Sequence, residues 1–193
     1  MEYLAEKKKA ILESTLALIE EKGFHGTPMS MVAKHAGVAA GTIYHYFDSK
    51  ERLICELYTY VNQRMISALL TSDDPAQSFQ KRFFSTWMGL YHFYIENPNV
   101  LRFMEQFVNS PFYTKSKGPQ HHPVHQLLFD FFRCGVEEGQ LCEANPEMLG
   151  VLVHGSIITA AKIHGVGKIQ LSDEELTQIA RILWNGMSRP AST

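Results

Sequence analysis

Hydrogen-bond donors cluster on the side chains of Thr42, Tyr44, His45, Tyr46 and Lys50. Hydroxyl, imidazole and ammonium groups of this kind hydrogen-bond to a polar or anionic partner, and small neighbours such as Ala39, Ala40 and Gly41 leave room for its close approach. The surrounding stretch, Ala36 to Leu53, reads A-G-V-A-A-G-T-I-Y-H-Y-F-D-S-K-E-R-L. Within it Val38, Ile43 and Phe47 fall four or five apart, so they can anchor a short helix to a neighbour while its other face meets a partner. Ala36-Gly37-Val38 follows a helical run and supplies the tight, glycine-containing turn that joins two helices at a steep angle. The unit reads as a helix-turn-helix.

Other elements must position it. From about Tyr3 to Lys22, Ile11, Leu12, Thr15, Leu16 and Ile19 recur at three and four, which predicts an amphipathic helix ended by Gly23. Phe24 then supplies an apolar plug. At Thr27-Pro28, Thr27 is expected to cap a second, short helix that reaches about His35, with Pro28 at its first position. The helix carrying Thr42 and Tyr44 starts without a side-chain cap, a loss of about 0.5–2 kcal/mol, and Gly41 inside it costs about 1 kcal/mol more. Packing must therefore hold it. Gly41 serves either a close approach by the partner or a helix contact that needs a small residue.

Ser49 is placed to cap a long fourth helix from about Lys50 to Leu70, whose Leu53, Ile54, Leu57, Tyr58, Val61, Met65 and Leu69 form one stripe. Asp73-Asp74-Pro75 predicts the start of a fifth helix that Asn97-Pro98 stops, and a sixth spans roughly 99–109. Residues 111–123, rich in Pro, Lys and Ser, read as one long loop in which mobility is expected. Helices over about 124–138, 146–164 and 173–188 follow.

Gly23-Phe24, Thr27, Val32-Ala33, Gly37-Val38, Gly41-Thr42-Ile43-Tyr44, Phe47 and Ser49-Lys50-Glu51 with Leu53 stand at the types and spacing of the TetR family of bacterial repressors, which the first sixty or so residues resemble. The resemblance implies an all-α fold of about nine helices. It places a three-helix, DNA-binding helix-turn-helix domain over residues 1–48 and a helical ligand-binding and dimerisation domain over 49–193. It further implies a ligand-responsive transcriptional regulator, a repressor released from a palindromic operator by a small apolar or aromatic effector. The partners would be double-stranded operator DNA, that effector, and a second copy in a homodimer. In the family, residues matching Thr27, Tyr44, Tyr46 and Lys50 commonly meet phosphates, those matching Ala39, Ala40, Thr42 and His45 lie nearest the base edges, and Ser30 is placed with the same DNA-binding set. The sequence departs from the family at Ala39 and Ala40, where Ser and a long polar residue are frequent, and at Tyr46, where His is more common. Direct base readout is therefore expected to be sparse and shape readout larger.

Between residues 79 and 132 the chain is dense in Phe, Tyr and Trp, and helical spacing makes most of them core. A two-state regulator also needs a cavity, expected around Met65, Trp87, Tyr91, Tyr94, Phe103, Phe107 and Phe131. Leu149, Val153, Ile157, Ile158 and Ala161, with Ile179, Ile182, Leu183 and Gly186, exceed what one small core needs and are expected to pair about a two-fold axis as a four-helix dimer interface. The imidazoles of His121, His122 and His125 suit zinc, copper or nickel, but Pro123 interrupts their helical spacing and no Cys or carboxylate lies near in sequence, so a solvated loop is the expectation. No cofactor is expected. The chain shows no nucleophile with an adjacent base, no phosphate loop and no paired carboxylates, which argues against an enzyme. The rival class is a helical small-molecule- or metal-binding protein whose N-terminal motif no longer reads DNA.

The 193 residues suffice to bury a core. No apolar run approaches the roughly 18 residues that span a bilayer, and the first nine residues lack the apolar segment of a signal peptide, so a cytoplasmic protein with no membrane partner is expected. Cys55, Cys134 and Cys142 are odd in number without metal-type spacing and read as free thiols. Net charge is −2, and residues 1–60 hold seven Lys and Arg against eight Asp and Glu. Lys7, Lys8, Lys9, Lys34, Lys50 and Arg52 are the cations at or near the reading unit. Few phosphates are neutralised per subunit, so non-specific DNA binding is expected to be weak and dependent on dimerisation. Affinity should still fall steeply as salt is raised, because released counterions are re-bound. A salt titration of duplex binding checks this: a flat affinity contradicts it.

Overall fold

The computed structural model describes residues 2–115, 123–165, 167 and 169–189. Among the described residues ten helices run in order: α1 (Glu2–Lys22), α2 (Met29–His35), α3 (Ala40–Tyr46), α4 (Lys50–Ser72), α5 (Phe79–Glu96), α6 (Pro98–Val108), α7 (Pro111–Lys115), α8 (Pro123–Glu137), α9 (Pro146–Gly165) and α10 (Asp173–Met187). The described residues contain no strand, only an isolated bridge between Leu141 and Ser188. The helix beyond the nine expected, α7, occupies the start of the stretch expected to be a loop. Residues 116–122, including His121 and His122, lie outside the described residues.

By packing, the chain divides into two compact units, 1–63 with 99–120 and 64–98 with 121–193. The boundary expected at residue 48 follows the motif. The packing boundary instead falls inside α4, and it assigns α6 and α7 to the unit that holds the helix-turn-helix.

In the first unit the expected stripe of α1 is buried as Ile11, Leu12, Leu16 and Ile19, joined by Val32 and Ala33 of α2 and Leu53, Ile54 and Leu57 of α4. Gly23, at φ +65°, ends α1, a left-handed conformation that glycine adopts without a Cβ penalty. Phe24 is buried as the plug, its ring 6.0 Å from Phe103 and 5.2 Å from Phe112. Tyr58 stacks on Phe107 at 4.5 Å, and burial there pushes its hydroxyl pKa up to about 12. Outside this core, Glu20 pairs with Arg102 at 3.0 Å. Glu56 pairs with both Lys8 (2.9 Å) and Arg52 (2.6 Å).

The second unit packs α8 and α5 on α9, and α10 on α5. Ser78 caps α5, so this helix begins at Phe79 and not at Asp73-Pro75. The Asp74 carboxylate instead accepts from the Ala76 backbone N–H, an interaction that lowers its pKa and holds a turn. Ser172 and Glu175 form a reciprocal capping box at the start of α10. Among the described residues α9 is the one helix long and apolar enough to cross a membrane by composition. Its Leu149, Val153, Ile157, Ala160 and Ala161 are buried in the protein's own core, which accounts for much of that character.

Gly89 of α5 marks the tightest approach in this unit. A Cβ there would sit 1.8 Å from Ser72 Oγ and 2.5 Å from Ser72 Cβ. Gly89→Ala must push the two helices apart or displace Ser72, and is expected to cost about 1–3 kcal/mol of unfolding free energy in a urea melt.

Candidate functional site

The turn between α2 and α3 is closed by backbone bonds from Gly37 N–H to Lys34 O (3.2 Å) and from Val38 N–H to Ala33 O (2.9 Å), with Gly37 at φ +67°. Ala39 stands at the N-cap of α3 and offers no side-chain bond, as the sequence leads one to expect. The helix is held from below by Ile43 and Phe47, both 0% exposed, with Lys8 Nζ 5.8 Å from the Phe47 ring centroid. Two buried side chains at about 1.5–3 kcal/mol each outweigh the missing cap and the helical glycine together.

The opposite face is open. Ala39, Ala40, Gly41, Tyr44 and His45 are exposed, and Thr42 and Tyr46 are partly so. Ala40 with Tyr44 and Gly41 with His45 are spaced four apart and so share one helix side. Tyr44 is 56% exposed and so is no core aromatic. The His45 ring sits edge-on to Tyr46 at 5.6 Å. A Cβ on Gly41 would meet nothing within 4 Å, so no helix contact within the protein requires a glycine there.

Two expected phosphate contacts are placed differently. Thr27 does not cap α2: Pro28 takes that position, while Thr27 is 2% exposed and its hydroxyl donates to the Gly23 carbonyl at 2.8 Å. Lys50, at the start of α4, donates its ammonium to the Phe24 carbonyl. Both side chains therefore brace the loop between α1 and α2. Ser30 is exposed on α2, and Ser49 caps α4 by accepting from Arg52 N–H at 3.1 Å.

The expected effector residues do not gather at one place. Phe103 and Phe107 belong to the first unit, against Phe24 and Tyr58. Trp87, Tyr91 and Tyr94 belong to the second and are packed, each 1–2% exposed. Trp87 Nε1–H donates to Ser156 Oγ (3.1 Å), Tyr91 OH meets His164 Nδ1 (3.1 Å), and Tyr94 OH meets His154 Nε2 (2.8 Å). Burial raises the Tyr94 pKa and lowers that of His125, whose ring lies 5.4 Å from His154. Met65 is buried, and Phe131 stacks on Phe79 at 4.6 Å. Among the described residues no three of His, Cys, Asp and Glu converge as a metal would need.

The expected dimer set needs a similar correction. Val153, Ile157 and Ala161 are 1–4% exposed within their own chain, because they line the side of α9 that faces the core. The outer side of α9 carries Met148, Val151 and Leu152 at 53–60% exposure, which sequence reading missed. The signal was present, since α9 is apolar around its whole circumference and not along one stripe. On α10, Ile182 is 65% exposed, Gly186 is exposed, and Ile179 and Leu183 are half-buried.

Two family models match the chain. One, described as bacterial regulatory proteins of the tetR family, matches residues 11–57, and the other, a tetracyclin repressor-like C-terminal domain, matches residues 78–188. An uncharacterized HTH-type transcriptional regulator of Haemophilus influenzae is 31% identical over 101 residues, 52% of this chain and 54% of that relative. The match thus spans about half the relative's length. The crystal structure of a TetR-family transcriptional regulator (HI0893) from Haemophilus influenzae Rd is similar with a TM-score of 0.84 at 24% identity, over 98% of this chain and 100% of that one. A TetR family transcription regulator from Marinobacter aquaeolei VT8 gives 0.86 at 23% identity, over 97% and 99%. At these identities the structural likeness is one of fold.

Because the position of a Cβ on Gly41 is empty, Gly41→Ala gains helix propensity without a clash. It is expected to raise the unfolding free energy by about 0.5–1 kcal/mol, read in a urea melt.

Proposed function

This chain belongs to the TetR family of bacterial regulatory proteins, and we propose that it is a homodimeric, ligand-responsive repressor that reads a palindromic operator through α3. Proteins of the family bind DNA and typically pair as homodimers. The observation that carries the reading for this chain is the open face of α3, where Gly41 has free space above it and Tyr44 and His45 stand exposed on one side. A helix bare of long side chains at Ala39, Ala40 and Gly41 can lie close to a major-groove edge. Tyr44, Tyr46 and Ser30 then supply donors for phosphates, and Thr42 and His45 reach base edges. With two alanines at the groove, part of the specificity would come from duplex shape.

The dimer is proposed to form through the outer faces of α9 and α10, with Met148, Val151, Leu152 and Ile182 at its centre. Two copies of α3 would then enter successive major grooves about 34–36 Å apart. Because α4 contributes residues to both units, a ligand that favours another tilt of α4 would spoil that spacing. By linkage the ligand and the operator would oppose each other by about 1–3 kcal/mol. The reading assigns no catalytic role to any residue.

A second reading is kept by one observation: Thr27 and Lys50 are bound within the protein, which thins the set of phosphate donors. On that reading the chain binds a small molecule and no longer recognises DNA. Selection of bound sequences from random duplexes separates the two, with Tyr44→Ala, His45→Ala and Gly41→Ala run beside the parent. The repressor reading expects a palindrome with half-sites about one helical turn apart, weakened in all three variants even though Gly41→Ala is the more stable protein. A folded dimer that enriches no sequence contradicts it.

A further inference from the structure

A cavity of about 60 Å³ lies within the second unit, lined by Leu69 near the end of α4, Asp73 just beyond it, Thr86 of α5, and Leu127, Leu128 and Phe131 of α8. Thr86 is 9% exposed, and its Oγ1 is buried with no hydrogen-bond partner. Five other helical threonines behave differently. Thr15, Thr59, Thr71, Thr159 and Thr177 each donate to the carbonyl four residues back, at 2.6–3.2 Å. Thr86 does not make that bond. A buried hydroxyl without a partner destabilises the fold, so one retained in the wall of a cavity calls for an explanation.

The other polar group at the cavity is already matched. Arg82 holds the Asp73 carboxylate through two hydrogen bonds of 2.6 and 2.8 Å, and its guanidinium lies 5.3 Å from the centroid of the Phe131 ring. The pair is neutral overall and offers a ligand no unmatched charge. Thr86 is left as the group that can recognise one.

We propose that this cavity binds a small neutral molecule with an apolar body and a single hydroxyl or carbonyl. The Thr86 hydroxyl meets that polar group, and Leu69, Leu127, Leu128 and Phe131 take the body. At roughly 10–15 Å³ per water-sized group, the space holds about four to six non-hydrogen atoms, which fits a short-chain alcohol, or a phenol whose ring edge reaches exposed Leu70 at the rim. A charged ligand is disfavoured, because it would have to leave water for an apolar pocket whose one ion pair is closed. The site names the chemical class of the effector proposed above and rests on that reading for its effect on DNA, though not for binding itself.

The test titrates the full chain, free of DNA, with phenol and with toluene, which is similar in shape but lacks the hydroxyl. Methyl resonances of Leu69, Leu127 and Leu128 are followed by NMR. Phenol is expected to shift these methyls and to bind about tenfold more tightly than toluene. Thr86→Val, which keeps the shape, should bring phenol down to the affinity of toluene while Tm holds or rises. Leu127→Trp, which fills the space, should abolish binding of both in a chain that keeps its helical circular dichroism. Absence of shifts at these methyls, equal binding of the two probes to the parent, or phenol affinity unchanged in Thr86→Val overturns the proposal. Since no operator enters the measurement, its failure leaves the DNA-binding reading standing, and a failed operator selection leaves this site standing.

Discussion

The burial of Ile43 and Phe47 is the interaction on which the proposed activity depends. A helix of seven residues with alanine at its cap and glycine in its first turn would not persist in water, where isolated helices shorter than about 12–15 residues are marginal. α2, with Val32 and Ala33 buried, packs against α3, and Lys8 of α1 lies over the Phe47 ring. Lys50 and Thr27 tie down the loop that carries Phe24. The consequence is a division of labour within one short segment: its apolar residues supply all the stability, so its outer residues are free to be small and polar.

The second unit solves a different problem. Its aromatic side chains carry polar tips, and a buried tip must find a partner. Trp87, Tyr91 and Tyr94 are matched by Ser156, His164 and His154, which pins α5 to α9 through directional bonds as well as through area. A region matched so fully is a framework and leaves little unclaimed polarity for a ligand. The unclaimed hydroxyl lies elsewhere, at Thr86, where α5 faces α8 and the end of α4. α9 then has two apolar sides, one spent on this core and one presenting Met148, Val151 and Leu152 to the outside.

Much of this was legible in the sequence where local physics decides. The period of three and four in α1 and α4, the stop at Gly23, the cap at Ser49 and the uncapped start of α3 depend on neighbours within one or two turns. What was not legible depends on which of two competing partners a side chain meets. Thr27 stands next to a cap position that Pro28 takes, and its hydroxyl meets the Gly23 carbonyl instead. The start of α5 moved to Ser78 because the Asp74 carboxylate spends itself on a turn. Val153, Ile157 and Ala161 were indistinguishable by type from Val151 and Leu152, since only packing decides which side of an all-apolar helix faces inward. Phe103 and Phe107 went to the first unit with α6 because Phe24 meets Phe103 edge-on and Tyr58 stacks on Phe107, a long-range choice that spacing cannot express.

The most direct test of the central claim is hydroxyl-radical footprinting of the chain alone and bound to a duplex, since oxidation reports on side-chain exposure at Tyr44, His45 and Met148 at once. If α3 presents its outer face to DNA, Tyr44 and His45 lose most of their reactivity on binding while Met148, in the second unit, is unchanged. Bound duplex with Tyr44 and His45 as reactive as in the free protein would contradict the account.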